Sequence, residues 1–505
     1  MIGLRRALKV TAVLVFTMTF LLAAALGGAA LAFLQPGLSG HAAGLLAVAT
    51  GALDRLAKPA AAESHQTSLG PDGYEIEAIL GVDQLVAGRV TVTYTNQSQT
   101  ALDRLVFHLP RGLQTIALEE VSGAEAGSPE RVGLTLTVPL TGRLGPSGQV
   151  KVVLRYSTFL AQSRKRQGIS GGGGVWLVND WYPSLDVFDG ERWHSGQGAA
   201  FGDYSFLAAA PYKVRLTTPP GLAVFGPYGD RGLPVVGDET SQTVTLETGK
   251  VRECALVLTM SHETMVEMGR TDPTVVALYL PGHEAGARAA IGAARRSLDL
   301  YTRLFGPYPG RSFLVVEAPI TDFKGVEFPG FILLSTAEFE RPAEVEAVVA
   351  HEVAHQWWYN LVGSDQLEEP WVDEALAGYS TVLYYEKEYG PAAGQSVLAG
   401  GAFGLYRSRR SAYPQSSVAK PLSAFATDEE YKMMAYGRGG LFIGALRQTL
   451  GDEGFFTFLR NLATNYAGGY LSEASLRQEG EAIAGRSLST LFDQWLRAPD
   501  GRFDP

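Results

Sequence analysis

The sequence predicts a multidomain protein with an N-terminal transmembrane helix, an all-β, sandwich-like domain, and a mixed α/β domain that is mostly helical. Three observations support this fold class. An uncharged apolar run lies near the N-terminus, an alternation of polar and apolar residues follows it, and apolar spacing of three and four residues dominates the C-terminal half. A chain of 505 residues with 46% hydrophobic and 19% charged residues can also build more than one packed core.

The predicted domain boundaries follow these changes of pattern. They are residues 1–36 for a cytoplasmic stub and transmembrane anchor, 37–70 for a linker, 71–268 for the β domain and 269–505 for the helical domain. The sequence shows no repeat of fixed period that would indicate a solenoid or a propeller.

The first segment predicts export of the chain. Residues 10–34 contain no charged side chain, and this run is long enough to span a bilayer. Arg5, Arg6 and Lys9 precede it, and basic residues on this flank stay cytoplasmic by the positive-inside rule. We therefore predict a single-pass anchor in the cell membrane with the rest of the chain on the outer face. A cleaved signal peptide is the alternative, since the Ala-rich stretch 23–32 offers a cleavage site.

The next region changes from a tether to a β domain. The linker is rich in Ala and Gly and has few large apolar side chains, which is typical of a tether. Period-two alternation then predicts strands with one buried face, at residues 89–95, 134–138, 151–156, 213–217, 242–246 and 255–258. A glycine run precedes a group of aromatic residues here, which we interpret as core beside a loop, with the border of a substrate cleft as the alternative.

The C-terminal half predicts a different architecture. A short strand at residues 275–280 precedes a helix at 284–305, and strands near 313–316 and 331–334 follow. From residue 342 onward nearly every segment has helical spacing, so the domain is mixed α/β and dominated by helices.

The composition limits the chemistry available. The formal net charge is −10 and no long run of like charge occurs, so nucleic acid is not an expected partner. Cys254 is the only cysteine, which excludes an intrachain disulfide and a thiolate metal cluster. Any metal must therefore be held by histidine and carboxylate side chains.

A metal site is predicted in a helical segment over residues 343–359. His351 and His355 are four residues apart, so both imidazoles share one helix face and can reach one cation. Glu352 lies one residue round the helix, where it can act as a general base on a water bound to that cation. A surface helix with two histidines is the alternative interpretation.

The third metal ligand predicted from the sequence is Glu374. Catalytic zinc commonly has three protein ligands and an open fourth position. Glu374 follows His355 by nineteen residues and lies among Trp371, Val372 and Leu376, where an unpaired charge would be costly to bury. A bound metal would compensate that charge, whereas an ordinary surface acid is the alternative.

These motifs together resemble the aminopeptidase N family of gluzincins. The resemblance rests on HEVAHQWW at residues 351–358, on Glu374 and on the stretch GVEFP at 325–329, and it covers about residues 71–505. It implies a thermolysin-like catalytic domain, one Zn²⁺ per chain and peptide substrates with a free N-terminus. Many relatives carry a further helical domain after the catalytic one, which this sequence is expected to lack.

The resemblance also implies substrate-binding residues. In the family, a Gly-x-Met-Glu-Asn loop lies on an edge strand, and its Glu binds the α-amine of the substrate. Glu327 matches that Glu, and a carboxylate near zinc could pair with an ammonium group. Gly325 matches the Gly, but Val326 replaces the Met and Phe328 stands where many members have Asn. A solvent-exposed Glu at a strand end is the alternative for Glu327.

A tyrosine is expected to stabilise the oxyanion that forms on the scissile carbonyl. The family uses a Tyr in a Tyr-x-Lys-Gly context, and Tyr436 begins the matching stretch, in which Arg438 replaces the Lys. A phenol stays protonated at neutral pH and can donate a stronger hydrogen bond as negative charge develops. Tyr431 is the alternative, and packing in a helical core is a further alternative for both.

The implied activity is that of a zinc aminopeptidase. Three alternatives remain at this point: a zinc endopeptidase without a free-amine requirement, an enzyme that opens a lipid epoxide at the same kind of site, and a non-catalytic surface protein stabilised by a metal. The sequence indicates neither the preference for the first side chain nor the oligomeric state.

Overall fold

The computed structural model describes residues 70–160, 174–196, 201–203, 206–229, 233, 235–267 and 273–499. These residues belong to one compact unit, Gln66–Pro505. The predicted linker lies outside the described residues except for its last position.

The fold class predicted from the sequence is corrected in one respect. Its transmembrane helix was assigned to residues 10–34, which lie outside the described residues. Across the part of the chain that the structure describes, no helix has the length and apolar character needed to cross a membrane. The architecture of the described residues is therefore a β-rich domain followed by a mostly helical domain, and no membrane helix is part of it. The predicted export rests on the same N-terminal residues and stays a prediction.

The described residues form closely spaced strands in the N-terminal half and fewer strands after residue 273. The strands are β1 Gly73–Leu80, β2 Leu85–Thr95, β3 Leu102–His108, β4 Leu113–Ser122, β5 Glu130–Val132, β6 Thr135–Leu144, β7 Gln149–Phe159, β8 Val175–Val178, β9 Ser184–Leu185, β10 Val187–Phe188, β11 Trp193–His194, β12 Tyr212–Thr218, β13 Ala223–Phe225, β14 Val235–Gly237, β15 Gln242–Glu247, β16 Leu256–Thr259, β17 Glu263–Glu267, β18 Thr274–Tyr279, β19 Ser312–Ala318, β20 Gly325–Phe328, β21 Phe331–Ser335, β22 Gly363–Ser364 and β23 Tyr470–Leu471.

The β domain contains a seven-stranded sheet in the order β14-β15-β12-β1-β2-β7-β4, a four-stranded sheet β5-β6-β3-β9 and a three-stranded sheet β13-β16-β8. The strands form because their alternation places one face in the core. In β1, for example, Tyr74, Ile76 and Ala78 are buried, whereas Glu75 and Glu77 are exposed. The strands predicted from period-two alternation are confirmed.

The aromatic group in this domain is largely core, as interpreted from the sequence. Trp181 and Tyr182 are buried in the hydrophobic cluster of the β domain, and Trp176 and Trp193 pack against that cluster. The indole N–H of Trp181 donates to the carbonyl oxygen of Cys254 at 2.8 Å, so its polar group has a hydrogen-bond partner inside the core.

Helices dominate the second half of the described chain. They are α1 Glu284–Phe305, α2 Thr336–Phe339, α3 Val345–Ala354, α4 Trp371–Tyr389, α5 Pro391–Ala399, α6 Gly401–Arg409, α7 Asp428–Tyr431, α8 Gly439–Asn465, α9 Glu473–Ala484 and α10 Ser489–Phe492. Two π-helical turns, Lys432–Arg438 and Asp493–Arg497, and two 3₁₀ turns, Arg410–Ala412 and Leu422–Ala424, accompany them.

A five-stranded sheet supports the helices. Its order is β17-β18-β19-β21-β20, in which β18, β19 and β21 run parallel and β20 pairs antiparallel with β21. Among the described strands, β20 therefore forms one edge of the sheet. β17 ends just before the predicted boundary at residue 268 yet pairs with β18 in this sheet. The domain boundaries themselves stay predictions.

His194 links the β domain to the segment that precedes α4. Its Nδ1 lies 2.7 Å from Oδ2 of Asp365, and its Nε2 lies 2.7 Å from Oδ2 of Asp189. Hydrogen bonds to Asp365 and then to Asp189 raise the pKa of His194 above its usual value of 6.5. An imidazolium that donates from both ring nitrogens fits this geometry.

The stabilising effect of His194 is expected to depend on pH. Because the pKa of His194 is higher in the folded chain than in the unfolded chain, its contribution is fully present below about pH 6.5 and falls as pH rises through the folded pKa. We expect His194→Gln to lower the unfolding midpoint by about 2 °C at pH 6 and by less at pH 9. Thermal unfolding followed by circular dichroism would measure both. If His194→Gln lowers the unfolding midpoint equally at pH 6 and at pH 9, the interpretation that a protonated His194 stabilises the fold is wrong.

Candidate active site

Helix α3 carries both histidines of the predicted metal site. The helix buries Val345, Val349 and Val353 against the core. The predicted helix over residues 343–359 is therefore too long at both ends, because α3 runs from Val345 to Ala354. At its C-terminus the backbone N–H of Asn360 bonds to the carbonyl oxygen of His355, five residues back, and this wider, π-type turn replaces further α-helix.

The three predicted metal ligands meet at one point. Nε2 of His351 lies 3.3 Å from Nε2 of His355 and 3.3 Å from Oε2 of Glu374, and Nε2 of His355 lies 3.4 Å from that oxygen. Donors at the corners of a tetrahedron around zinc, with bonds of about 2.0–2.1 Å, are separated by about 3.3 Å. The observed spacing therefore fits a zinc ion that the three side chains share.

The hydrogen bonds around His355 prepare it for a metal. Its Nδ1 donates to the carbonyl oxygen of Trp358 at 2.9 Å, which leaves the Nε2 lone pair for a cation. Burial lowers the pKa of His355, but the carboxylates of Glu327, Glu374 and Glu352 outweigh burial and raise it well above its usual value. Surroundings that favour a proton on this ring would also favour a divalent cation.

Glu374 lies on the first turn of α4 and is buried. Burial opposes its charged form, yet hydrogen bonds from His351 and His355 hold the pKa of its carboxyl below the usual range. The hydroxyl of Tyr436 donates to Oε1 of Glu374, so Oε2 is the oxygen that faces the two imidazoles. The alternative of a surface acid does not describe Glu374.

Glu352 projects toward the edge strand β20. A Cβ atom built on Gly325 would lie 2.7 Å from Oε1 of Glu352, so only glycine allows this close approach. Glu352, Glu327 and His355 each place one carboxylate oxygen or ring nitrogen within 4.8 Å of the others. The structure thus brings the predicted base and the predicted amine-binding carboxylate to the same side of the site.

The residues of β20 alternate between the site and the core. Glu327 is only 2% exposed, which excludes the alternative of a solvent-exposed Glu at a strand end. Val326 points to the other face, where it belongs to a buried hydrophobic cluster with Phe328. Any contact of Val326 with a substrate would therefore come from its backbone.

Gln356 is a site residue that the sequence analysis missed. Its Oε1 accepts from the backbone N–H of Gly330 at 2.9 Å, and its Nε2 donates to the carbonyl oxygen of Phe328 at 3.0 Å. These two bonds fasten the β20–β21 hairpin to the end of α3. Its position next to His355 in HEVAHQWW was the signal that could have indicated it.

A second network missed from the sequence lies behind Glu374. Nε2 of Gln366 donates to Oδ2 of Asp203 and to Oδ2 of Asp373, both at 2.8 Å. Burial, and then the charge of Glu374, raise the pKa of Asp373 to about 7. Asp203 lies in the β domain, far from Gln366 in sequence, and no local pattern marks it.

Tyr436 lies in the π-helical turn Lys432–Arg438 between α7 and α8. Its ring stacks on that of His351, with centroids 5.9 Å apart. Burial, and then the charge of Glu374, raise the pKa of Tyr436 well above its usual value, so the phenol stays protonated. Tyr431 packs edge-on against Tyr436 at 5.5 Å and stacks on Phe201 of the β domain. Of the two candidates, Tyr436 is the one that bonds to a predicted metal ligand.

Comparison with known proteins finds a peptidase domain in this chain and similarity to aminopeptidases. Residues 293–495 match the model of the peptidase family M1 domain. The chain is 22% identical over 269 residues to probable aminopeptidase 1 of Saccharolobus solfataricus, a match that covers 50% of this chain and 34% of that protein. It is 26% identical over 243 residues to aminopeptidase B of Mus musculus, a match that covers 43% of this chain and 35% of that protein. The chain thus spans only about a third of the length of these relatives.

The fold is shared with solved structures of similar length. A mutant of the M1 zinc metallopeptidase from Deinococcus radiodurans is similar to this chain with a TM-score of 0.66 and 21% identity, over 88% of this chain and 98% of that one. The same mutant bound to a Tyr-Ser-Ala substrate gives a TM-score of 0.65 and 22% identity, with the same coverage. The prediction that the chain resembles this family of zinc peptidases is confirmed: residues 293–495 match the peptidase family M1 domain, and this match indicates a zinc cofactor.

Proposed function

We propose that this chain is a zinc aminopeptidase that hydrolyses the first peptide bond of peptides with a free N-terminus. One observation carries the proposal: the three predicted metal ligands lie next to two further buried carboxylates, Glu352 and Glu327, on the side of β20. One carboxylate can serve as a base and the other can hold an ammonium group. The names of the relatives agree with this activity.

The metal ligands in this proposal are His351, His355 and Glu374. Zinc, when bound, supplies Lewis-acid activation of water and of the substrate carbonyl. The three donors leave a tetrahedral site one position short, which suits a catalytic rather than a structural metal. Within the described residues, no fourth His, Cys, Asp or Glu completes this group.

Glu352 is the proposed general base and acid. Its carboxylate takes a proton from the attacking water and returns it to the amine that leaves. Gly325 supports this role because the absence of a side chain there lets Glu352 reach the face of β20. Glu352 is buried, which keeps its carboxylate beside the predicted metal ligands rather than in solvent.

Glu327 is the proposed ligand of the substrate α-amine. A charge-assisted contact between its carboxylate and the ammonium group would hold the first residue in place. The first carbonyl would then lie over the three metal ligands, so that positioning lowers the barrier to attack. An edge strand such as β20 also offers backbone groups to an extended peptide, which gives Gly325 and Val326 a role through their main chain.

Tyr436 is the proposed donor to the oxyanion. Its raised pKa keeps the hydroxyl protonated, and its place beside Glu374 and His351 puts that hydroxyl at the edge of the predicted metal site. A hydrogen bond that strengthens as negative charge develops stabilises the transition state more than the substrate.

A free-amine requirement distinguishes this proposal from a zinc endopeptidase. The full chain with one equivalent of zinc would be given two copies of one fluorogenic peptide, one with a free N-terminus and one acetylated. Cleavage of the free-amine peptide alone, from its first residue, is expected because the acetylated end carries no charge for Glu327. Mass spectrometry of the products locates the bond that is cut.

The result separates the alternatives. Internal cleavage of both peptides would retain the zinc chemistry and refute the exopeptidase role. Absence of cleavage with bound zinc would favour a non-catalytic metal protein. The variant Glu327→Gln removes the charge at constant size, so its activity on the two peptides is expected to differ less than that of the unsubstituted chain.

A further inference from the structure

The turn that follows α3 contains an unusual backbone conformation. Tyr359 has φ of +139°, a region that residues other than glycine rarely adopt. Its backbone N–H donates to the carbonyl oxygen of Val362 at 2.8 Å, which closes the turn. A conformation of this kind persists only where the surrounding contacts enforce it, and such positions cluster at functional sites.

The peptide group before Tyr359 contacts a predicted metal ligand. The carbonyl oxygen of Trp358 accepts the hydrogen bond from Nδ1 of His355 at 2.9 Å. This carbonyl and the N–H of Tyr359 belong to the same rigid peptide plane. Because φ of Tyr359 is the rotation next to that plane, a change in φ would turn the Trp358 carbonyl away from His355.

Two neighbouring residues of the β domain hold Tyr359 at both ends. Nε of Arg252 donates to the carbonyl oxygen of Tyr359, and the hydroxyl of Tyr359 donates to Oε1 of Glu253. Arg252 is 2% exposed and Glu253 is 5% exposed, so both contacts are screened from water. The backbone and the side chain of Tyr359 are thus fixed by groups that lie about a hundred residues earlier.

Arg252 is itself held rigidly. Its Nη2 donates to the carbonyl oxygen of Gly469 at 2.6 Å, and its guanidinium lies 5.0 Å above the ring of Tyr470. A Cβ atom on Gly363 would lie 2.3 Å from Cζ of Arg252, so the turn after Tyr359 is shaped to admit the guanidinium. Buried charged groups seldom stabilise a fold more than apolar ones would, which points to a more specific role for Arg252.

We propose that Arg252 and Glu253 are positioning residues of the zinc site. They fix the backbone of Tyr359, the Tyr359 peptide fixes the carbonyl of Trp358, and that carbonyl orients the imidazole of His355. The β domain therefore takes part in metal binding although the three predicted ligands all come from the helical domain. This inference rests on the proposed role of His355 as a ligand and deepens the proposed function.

The test measures zinc binding in the full chain separately from peptide cleavage. Tyr359→Phe removes one hydroxyl, and Glu253→Leu removes its acceptor. Each is expected to weaken zinc binding by about tenfold or more, as loss of an orienting partner behind a ligand does. Zinc dissociation constants come from competition with a chelator, and the same samples give kcat and KM. We expect kcat to fall and KM to change little.

Two further variants distinguish positioning from general packing. Glu253→Gln keeps an oxygen that accepts from Tyr359 and is expected to retain most of the zinc affinity. Tyr359→Gly adopts the positive φ without strain and has no hydroxyl for Glu253 to hold. Adding Glu253→Leu to that variant is therefore expected to change the zinc dissociation constant little further. Tyr74→Phe is the matched control, because its hydroxyl accepts from the backbone N–H of Leu185 inside the β domain, away from the site.

Specific outcomes would overturn the proposal. If Tyr359→Phe and Glu253→Leu lower the unfolding midpoint as Tyr74→Phe does and leave zinc affinity unchanged, the contacts are only structural. If Glu253→Leu does not fold, Tyr359→Phe, which lacks one oxygen atom, decides the matter alone. A chain that binds zinc with this dependence but cleaves no peptide would refute the proposed function and retain the positioning role.

Discussion

Replacing Glu352 by Gln is expected to lower kcat by about a thousandfold while zinc stays bound. The amide has nearly the size of the carboxylate, but it cannot take a proton from the attacking water. The closely spaced donors that fit zinc are His351, His355 and Glu374, so the metal site keeps its ligands. Zinc content by atomic emission and kcat on a free-amine peptide measure the two quantities in one preparation.

Glu346→Gln is the matched control for this experiment. Glu346 lies in the first turn of the same helix, where its carboxylate accepts from Tyr389 and pairs with Arg296. The substitution makes the same chemical change on α3 at a distance from the metal ligands. Near-normal kcat is expected for Glu346→Gln, and near-normal kcat for Glu352→Gln would instead refute the assignment of the base.

The features that the sequence predicted well are the helices and strands in which apolar residues recur at a regular spacing. The helix predicted over residues 284–305 is α1, and the strands predicted at 275–280, 313–316 and 331–334 are β18, β19 and β21 within one or two residues at most of their ends. Spacing of four residues on a helix brought His351 and His355 together for the same reason. Periodicity reports the side of an element that is buried, so it predicts elements and pairs within them.

The contacts that close the site could not be predicted in this way. Asp203, Arg252 and Glu253 come from the β domain and contact segments more than a hundred residues later. No sequence pattern predicts contacts between residues so far apart in the chain, because they depend on how the two domains pack in three dimensions. The end of α3 was also mispredicted, since helical spacing continues to Tyr359 although its backbone leaves the helix.

Tyr436→Phe is expected to lower kcat by about a hundredfold, because the oxyanion loses one hydrogen-bond donor. The ring of phenylalanine can keep the stacking on His351, so the packing of the π-helical turn is preserved. Tyr431→Phe is the matched control in the same segment, and its effect on kcat is expected to be small. Initial rates over a range of peptide concentrations separate kcat from KM.

The contact between Tyr436 and Glu374 makes the zinc affinity of this variant informative. If the hydroxyl acts on the oxyanion, Tyr436→Phe lowers kcat and leaves the zinc dissociation constant nearly unchanged. If it acts by orienting Glu374, zinc binding weakens and added zinc restores turnover. A large loss of kcat in Tyr431→Phe with full activity in Tyr436→Phe would assign the donor to Tyr431. Measured together, kcat and zinc affinity therefore separate a donor to the substrate from a partner of the ligand.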